Sequence, residues 1–215
     1  LHRDLVTMVH EGGHAIHSFL DFDLELVEFK SPPSEIAELA SMSMELMSME
    51  HWDVFFSDKE ELRRAKRQQL ESVIDALPWI AAIDKFQHWI YTHPDHTVDD
   101  RYTAWKNIMN DFGSSVINYQ GCENHLARRW QVQLHLYEVP FYYIEYGFAQ
   151  LGAIAVWRNY KKDPKKAVGQ YKAALALGYT QSIPKVYETA GIKFDFSPAY
   201  IKELMDFVKK EYEQI

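Results

Sequence analysis

Two histidines four residues apart, with a glutamate directly after the first, form the strongest chemical signal in this sequence: Val9-His10-Glu11-Gly12-Gly13-His14. Because residues four apart lie on one face of a helix, the two imidazoles can converge on a single metal ion. Glu11 lies at the flank of that face, where its carboxylate can take a proton from a water without binding the metal. Since zinc lowers the pKa of such a water toward neutrality, the pattern predicts zinc-assisted attack on a carbonyl, with Glu11 as general base.

The helix around this motif has the features that a buried site needs. Gly12 and Gly13 each cost about 1 kcal/mol relative to alanine in a helix, so the pair suits a place where a substrate or another backbone comes close. His17 is open to three interpretations, as a ligand, a hydrogen-bond partner of a ligand or a packed core residue, and we favour the last two. The alternative is a surface helix with incidental histidines. An apolar side on the same helix argues against that alternative: Leu5, Val6, Val9 and Ile16.

A zinc peptidase site needs a third protein ligand and one open position. Three glutamates of a predicted second helix are candidates: Glu35, Glu38 and Glu45. The residues alone do not separate Glu35 from Glu38. The methionines at 42, 44, 47 and 49 are expected to fill the core or to line a substrate pocket.

Helical periodicity dominates the chain, which has only nine glycines. This periodicity predicts an all-α, multi-helix domain over residues 1–215, with at most a short strand or hairpin. The histidine and glutamate motif on its first helix predicts that the domain is catalytic and zincin-like. Ser31 followed by Pro32 predicts the start of the second helix, and Gly178 and Gly191 are placed as helix terminators. Since the sequence opens on Leu1 inside a helix, we expect a piece of a longer chain. The predicted helices cover 2–20, 31–50, 59–93 (with Pro78 kinking or dividing it), 98–111, 123–133, 139–160, 164–177, 183–190 and 198–213, with an extended stretch at 23–29.

Composition excludes several classes of function. A formal net charge of −8 argues against sequence-independent nucleic-acid binding, which needs clustered Lys and Arg. The basic run at 63–67 is interleaved with glutamates and is typical of a solvated helix face. No apolar stretch reaches 18 residues, so we expect no membrane span. The single cysteine, Cys122, suits a reducing compartment, and we predict a cytoplasmic protein.

Two segments together resemble the thimet oligopeptidase and oligoendopeptidase F family of zinc peptidases. They are His10-Glu11-Gly12-Gly13-His14-Ala15-Ile16-His17 and, about two dozen residues on, Ile36-Ala37-Glu38-Leu39-Ala40-Ser41. The resemblance implies one zinc per chain, held by His10, His14 and Glu38. It also implies that Glu45, one heptad after Glu38, supports the site.

The resemblance extends to His135-Leu136-Tyr137-Glu138-Val139-Pro140-Phe141-Tyr142-Tyr143-Ile144-Glu145-Tyr146. It implies that His135 and Tyr146, with Tyr143 at an intermediate tyrosine position, donate hydrogen bonds to the oxyanion of the tetrahedral intermediate. From the residues alone, aromatic side chains on one helix are more often core than catalytic. One departure is Val139, where animal relatives have another tyrosine.

These observations predict a zinc-dependent oligoendopeptidase that hydrolyses internal bonds of short peptides. An alternative is a zinc carboxypeptidase-like exopeptidase, because related helical folds trim chain ends. A second alternative, from a different class, is a helical interaction module that is metal-free and non-catalytic.

Overall fold

The computed structural model describes residues 2–215, and these contain helices, turns and loops but no strand. The all-α prediction is therefore confirmed. The chain divides into two compact units, one formed by the segments up to Ser72 and from Phe148 to Ile215, the other by Val73–Gly147. A single-domain organisation over residues 1–215 stays a prediction. Among residues 2–215, none of the helices combines the length and apolar character that a bilayer span requires.

Residues 2–215 form ten α-helices, and three short 3₁₀ helices lie between them, at Val27–Lys30, Met49–Val54 and Arg129–Val132. The α-helices are α1 (His2–Leu20), α2 (Ser34–Ser48), α3 (Lys59–Thr92), α4 (Val98–Phe112), α5 (Glu123–Arg128), α6 (His135–Glu138), α7 (Ile144–Lys162), α8 (Pro164–Leu175), α9 (Ile183–Thr189) and α10 (Pro198–Gln214).

Several helix ends follow from local chemistry. Thr97 and Asp100 form a reciprocal capping box at the start of α4. The hydroxyl of Ser197 caps α10, whose first residue is a proline. Gly178 and Gly191 have positive φ angles of 48° and 75° just beyond α8 and α9. These angles confirm the prediction that the two glycines terminate helices.

Three local predictions are wrong. The second helix begins at Ser34 rather than after Ser31, because the ring of Pro33 keeps the preceding Pro32 out of the helical region. The stretch predicted to be extended at 23–29 ends in a 3₁₀ turn. The helix predicted over 139–160 begins only at Ile144, after Pro140 and after Phe141, whose φ of 61° is incompatible with a helix. Pro78 lies within α3, which continues through it as one helix.

In the first unit, α1 and α2 approach each other at Gly13. A Cβ atom at this position would lie 2.6 Å from the Cα of Ser41 and 2.8 Å from the carbonyl oxygen of Ala40. The close approach that the glycine pair predicts is therefore made by a backbone at Gly13, whereas a Cβ on Gly12 would meet nothing within 4 Å. Two buried tyrosines also hold the backbone of α2. Tyr171 of α8 donates to the carbonyl oxygen of Ala40 at 2.8 Å, and Tyr187 of α9 donates to that of Glu35 at 3.1 Å.

The second unit has its own aromatic core, built from the residues of α3 beyond Ser72, from α4 and from the segment after α5. Trp105 is fully buried and donates its indole N–H to the carbonyl oxygen of Leu126 at 2.9 Å. Trp79 packs edge-on against Trp105, with ring centroids 5.5 Å apart. The buried members of this core are Ala82, Ile83, Phe86, Ala104, Trp105, Ile108, Met109 and Trp130.

Candidate active site

The structure brings together His10 and His14 of α1 and Glu38 of α2. Each offers a ligand atom, and these three atoms all lie within 4.8 Å of one another. The Nε2 atom of His10 lies 3.5 Å from Oε2 of Glu38, and that of His14 lies 3.9 Å from the same oxygen. Within residues 2–215 this is the one cluster of His, Cys, Asp or Glu side chains that meets this criterion for a metal ion.

The chemistry of this donor set fits zinc. Two imidazole nitrogens and one carboxylate oxygen are a ligand set of catalytic zinc sites, which keep the fourth position open. Tetrahedral zinc with bonds of about 2.0–2.1 Å places its donor atoms about 3.3–3.4 Å apart. The observed spacings of 3.5 and 3.9 Å are close to this value. The side chains of His10, His14 and Glu38 are 25, 32 and 13% exposed, so water has access to the cluster.

Glu45 of α2 orients His10. Its Oε1 atom lies 2.6 Å from Nδ1 of the imidazole, while its Oε2 atom accepts a hydrogen bond from the buried Gln69 at 2.7 Å. Because a carboxylate can only accept, the proton of the neutral imidazole is on Nδ1 and the lone pair on Nε2 faces Glu38. The hydrogen bond to Glu45 is also the main reason why the pKa of His10 is raised, against the opposing effect of burial.

Ser41 orients Glu38 within the same helix. Its hydroxyl lies 2.9 Å from Oε2 of Glu38 and 3.1 Å from the carbonyl oxygen of that residue. Sequence reasoning did not assign a role to Ser41 or to Gln69. For Ser41 a signal existed, because it closes the segment that carries the family resemblance. For Gln69 there was none, since it lies 24 residues beyond Glu45 on another helix.

Three other candidates on α1 and α2 are not among the converging ligands: Glu35, His17 and Glu11. Glu35 is not among the converging ligand atoms, and its Oε2 atom is buried without a hydrogen-bond partner. His17 is 4% exposed and lies 3.9 Å from the equally buried Asp21, which agrees with a packed core histidine. Burial lowers the pKa of His17. Glu11 follows His10 on α1 and is exposed, so its carboxylate is available to a reactant from solvent.

The three downstream candidates meet in the second unit. His135 opens α6, and Tyr146 lies in the first turn of α7. The Nε2 atom of His135 is 3.4 Å from the hydroxyl of Tyr146, and the ring of Tyr143 lies 4.9 Å from that of His135. Burial raises the pKa of Tyr143, and the indole of Trp79 has a smaller effect in the opposite direction. The structure therefore groups His135, Tyr143 and Tyr146 as one polar aromatic cluster.

Comparison with known proteins identifies the family. Residues 1–206 match the family model described as Peptidase family M3. The chain belongs to peptidase family M3. This confirms the resemblance to oligoendopeptidase F that the two motif segments indicate.

Two curated proteins are similar to most of this chain. The oligoendopeptidase F homolog of Borreliella burgdorferi is 22% identical over 182 residues, which are 82% of this chain and 30% of that protein. The oligopeptidase PepF of Bacillus subtilis is 23% identical over 195 residues, which are 88% of this chain and 28% of that protein. The chain thus spans less than a third of the length of these relatives.

Solved structures show the same helical fold. The structure described as PZ peptidase A with inhibitor 2 has a TM-score of 0.89 and 26% identity, covering 99% of this chain and 37% of that one. The oligoendopeptidase-F of Enterococcus faecium has a TM-score of 0.71 at 19% identity, covering 99% of this chain and 38% of that one. At that identity the second structure supports the fold alone.

Proposed function

We propose that this M3 chain is the catalytic part of a zinc metallopeptidase that hydrolyses internal bonds of short peptides. The observation that carries the proposal is the convergence of His10, His14 and Glu38, with the exposed Glu11 directly after His10 on α1. One zinc ion per chain, held by these three side chains, would polarise the peptide carbonyl and activate a water. The names of the two curated relatives, an oligoendopeptidase F homolog and an oligopeptidase, support short peptides as substrates.

Glu11 and the ligand-orienting residues have separate tasks in this proposal. Glu11 takes a proton from the attacking water at its carboxylate and later gives it to the leaving amine. Glu45 and Ser41 hold His10 and Glu38 in the orientation that zinc binding needs.

His135, Tyr146 and Tyr143 are proposed as hydrogen-bond donors to the oxyanion of the tetrahedral intermediate. Their types and their mutual contacts support this role, because imidazole N–H and phenol O–H groups are both donors. A single such donor contributes about 2.7–4 kcal/mol to catalysis. We also propose a cytoplasmic location, which the single cysteine, Cys122, supports.

The decisive experiment is Glu11→Gln in the zinc-loaded protein. Because Glu11 is not a ligand, we expect the variant to keep about one zinc per chain and to lose cleavage of an internally quenched peptide. Glu25→Gln, at an exposed position outside the cluster, is the matched control and should cleave normally. Peptides blocked at both ends separate the alternatives, because an endopeptidase still cleaves them and an exopeptidase does not. Retained turnover in Glu11→Gln would refute the role of Glu11, and failure to bind added zinc would support the non-catalytic module.

A further inference from the structure

A line of hydrogen bonds in the second unit leads from α3 to the ring of His135. The indole Nε1 of Trp79 donates to Oε1 of Gln133 at 2.9 Å. The amide Nε2 of Gln133 lies 2.7 Å from Nδ1 of His135. On the other side of the ring, Nε2 faces the hydroxyl of Tyr146 at 3.4 Å. All four side chains lie within Val73–Gly147.

The direction of each bond follows from what its donor can do. An indole N–H can only donate, so the oxygen of the Gln133 amide must face Trp79. The NH₂ group of that amide therefore faces His135, and since it too can only donate, Nδ1 must be an acceptor. A neutral imidazole has one proton, which is then on Nε2 and points toward Tyr146.

The reverse orientation of the amide is disfavoured by packing. Turning Gln133 over would place its NH₂ group against the N–H of Trp79, so that two donors would face each other and the bond between these side chains would be lost. Gln133 is 9% exposed, so water cannot readily take over the lost bond. Trp79 is itself held in place, with Trp105 edge-on at 5.5 Å and the guanidinium of Arg129 over its ring at 4.9 Å.

We propose that Gln133, oriented by Trp79, is a positioning residue that fixes the Nε2–H tautomer of His135. The imidazole is thereby kept as a hydrogen-bond donor at Nε2, which is the form that stabilising an oxyanion requires. The catalytic consequence rests on the proposed function, whereas the tautomer itself does not. An experiment can therefore refute the catalytic consequence without refuting the tautomer, and the reverse.

The test is Gln133→Glu, which changes one atom of the side chain and keeps the acceptor for Trp79. A carboxylate can only accept, so it should draw the ring proton to Nδ1 and leave Nε2 without one. The tautomer is measured from the side-chain ¹⁵N chemical shifts of His135 at about pH 9, well above the ordinary imidazole pKa. His135→Asn assigns the resonances. Gln131→Glu adds the same charge at an exposed position two residues away and is the matched control.

We expect Nε2–H in the wild-type protein and in Gln131→Glu, and Nδ1–H in Gln133→Glu. For the zinc-loaded enzyme we expect kcat to fall by about 10²–10³ in Gln133→Glu, the loss typical of one oxyanion donor, with little change in KM. Trp79→Phe removes the indole N–H but keeps an aromatic ring, and should show both tautomers. This variant preserves a test if Gln133→Glu does not fold.

An Nδ1–H tautomer in the wild-type protein, or an unchanged tautomer in a folded Gln133→Glu, would overturn the proposal. An inverted tautomer with unchanged kcat would support the positioning role of Gln133 and refute the catalytic role of His135.

Discussion

The glycine pair between the two motif histidines offers a matched test of how α1 and α2 form the candidate metal site. Gly12 and Gly13 are neighbours in the same helix, yet only the second faces another backbone. An alanine Cβ at Gly13 would lie 2.6 Å from the Cα of Ser41, whereas ordinary contacts begin at 3.4 Å, so the two helices must separate by about 0.8 Å. At Gly12 the same methyl group enters open space.

The energies of the two substitutions follow from this difference. Alanine gains about 1 kcal/mol over glycine in a helix, so Gly12→Ala should stabilise the protein by about that amount. Gly13→Ala makes the same gain but loses about 1–3 kcal/mol to overpacking against backbone atoms that cannot rotate away. The free energies of unfolding of the two variants should therefore differ by about 1–3 kcal/mol. Each kcal/mol corresponds to a change of about 2–4 °C in melting temperature.

Zinc affinity should also differ between Gly12→Ala and Gly13→Ala. Functional groups must be held to within about 0.5 Å, and a helix shift of about 0.8 Å moves Glu38 away from His10 and His14 by more than this tolerance. We expect weaker zinc binding in Gly13→Ala and unchanged binding in Gly12→Ala, measured by titration against a competing chelator. Stability is measured by urea unfolding of the metal-free proteins. If Gly13→Ala proved as stable as Gly12→Ala and bound zinc as tightly, the reasoning from close helix approach would be refuted.

Two further predictions concern side chains beside the cluster. Glu45→Gln weakens the contact that orients His10 and should reduce zinc affinity about 10–100-fold, as loss of such a partner does elsewhere; unchanged affinity in the chelator titration would contradict this. Burial lowers the pKa of His17 below its ordinary value, with Asp21 opposing the shift, so on acidification the unfolded chain takes up this proton before the folded one does. The free energy of unfolding should therefore fall as the pH drops below about 6.5 toward the lowered pKa, and His17→Gln should reduce this slope in urea unfolding of the metal-free protein. An identical slope in both proteins would show that His17 does not titrate in this way.

The part of the candidate site that lies on one helix could be predicted from the sequence. His10 and His14 converge because of helical spacing alone, and the residues also indicated a close approach at the glycine pair. Which carboxylate of α2 joins them depends on how that helix is rotated against α1. The contact of Gly13 with Ser41 helps to set this rotation, and it joins residues 28 positions apart. Periodicity within one helix therefore left Glu35 and Glu38 open, and the family resemblance was needed to choose between them.

The segment before α7 could not be predicted for a related reason. Residues 139–143 continue a helical pattern, but Phe141 has a φ of 61°. Its backbone N–H donates to Oε1 of the buried Gln87 at 2.9 Å, and this tertiary bond helps to hold a conformation that the residue itself disfavours. Pro140 was the one local signal of the break. Tertiary contacts decide such positions, and a single sequence does not display them.

Two histidines of this chain also show why residue type alone does not assign a chemical role. In both rings Nδ1 is occupied, but by partners of opposite kind: a carboxylate oxygen of Glu45 for His10 and an amide NH₂ of Gln133 for His135. The first partner accepts and leaves a lone pair on Nε2, which is what a metal ligand needs. The second donates and leaves a proton on Nε2, which is what an oxyanion donor needs. In the proposed function, the two imidazoles would thus have opposite tasks, each set by one neighbour, which lies 35 residues away for His10 and two residues away for His135. Exchanging the kind of partner, as Gln133→Glu does, should therefore exchange the task.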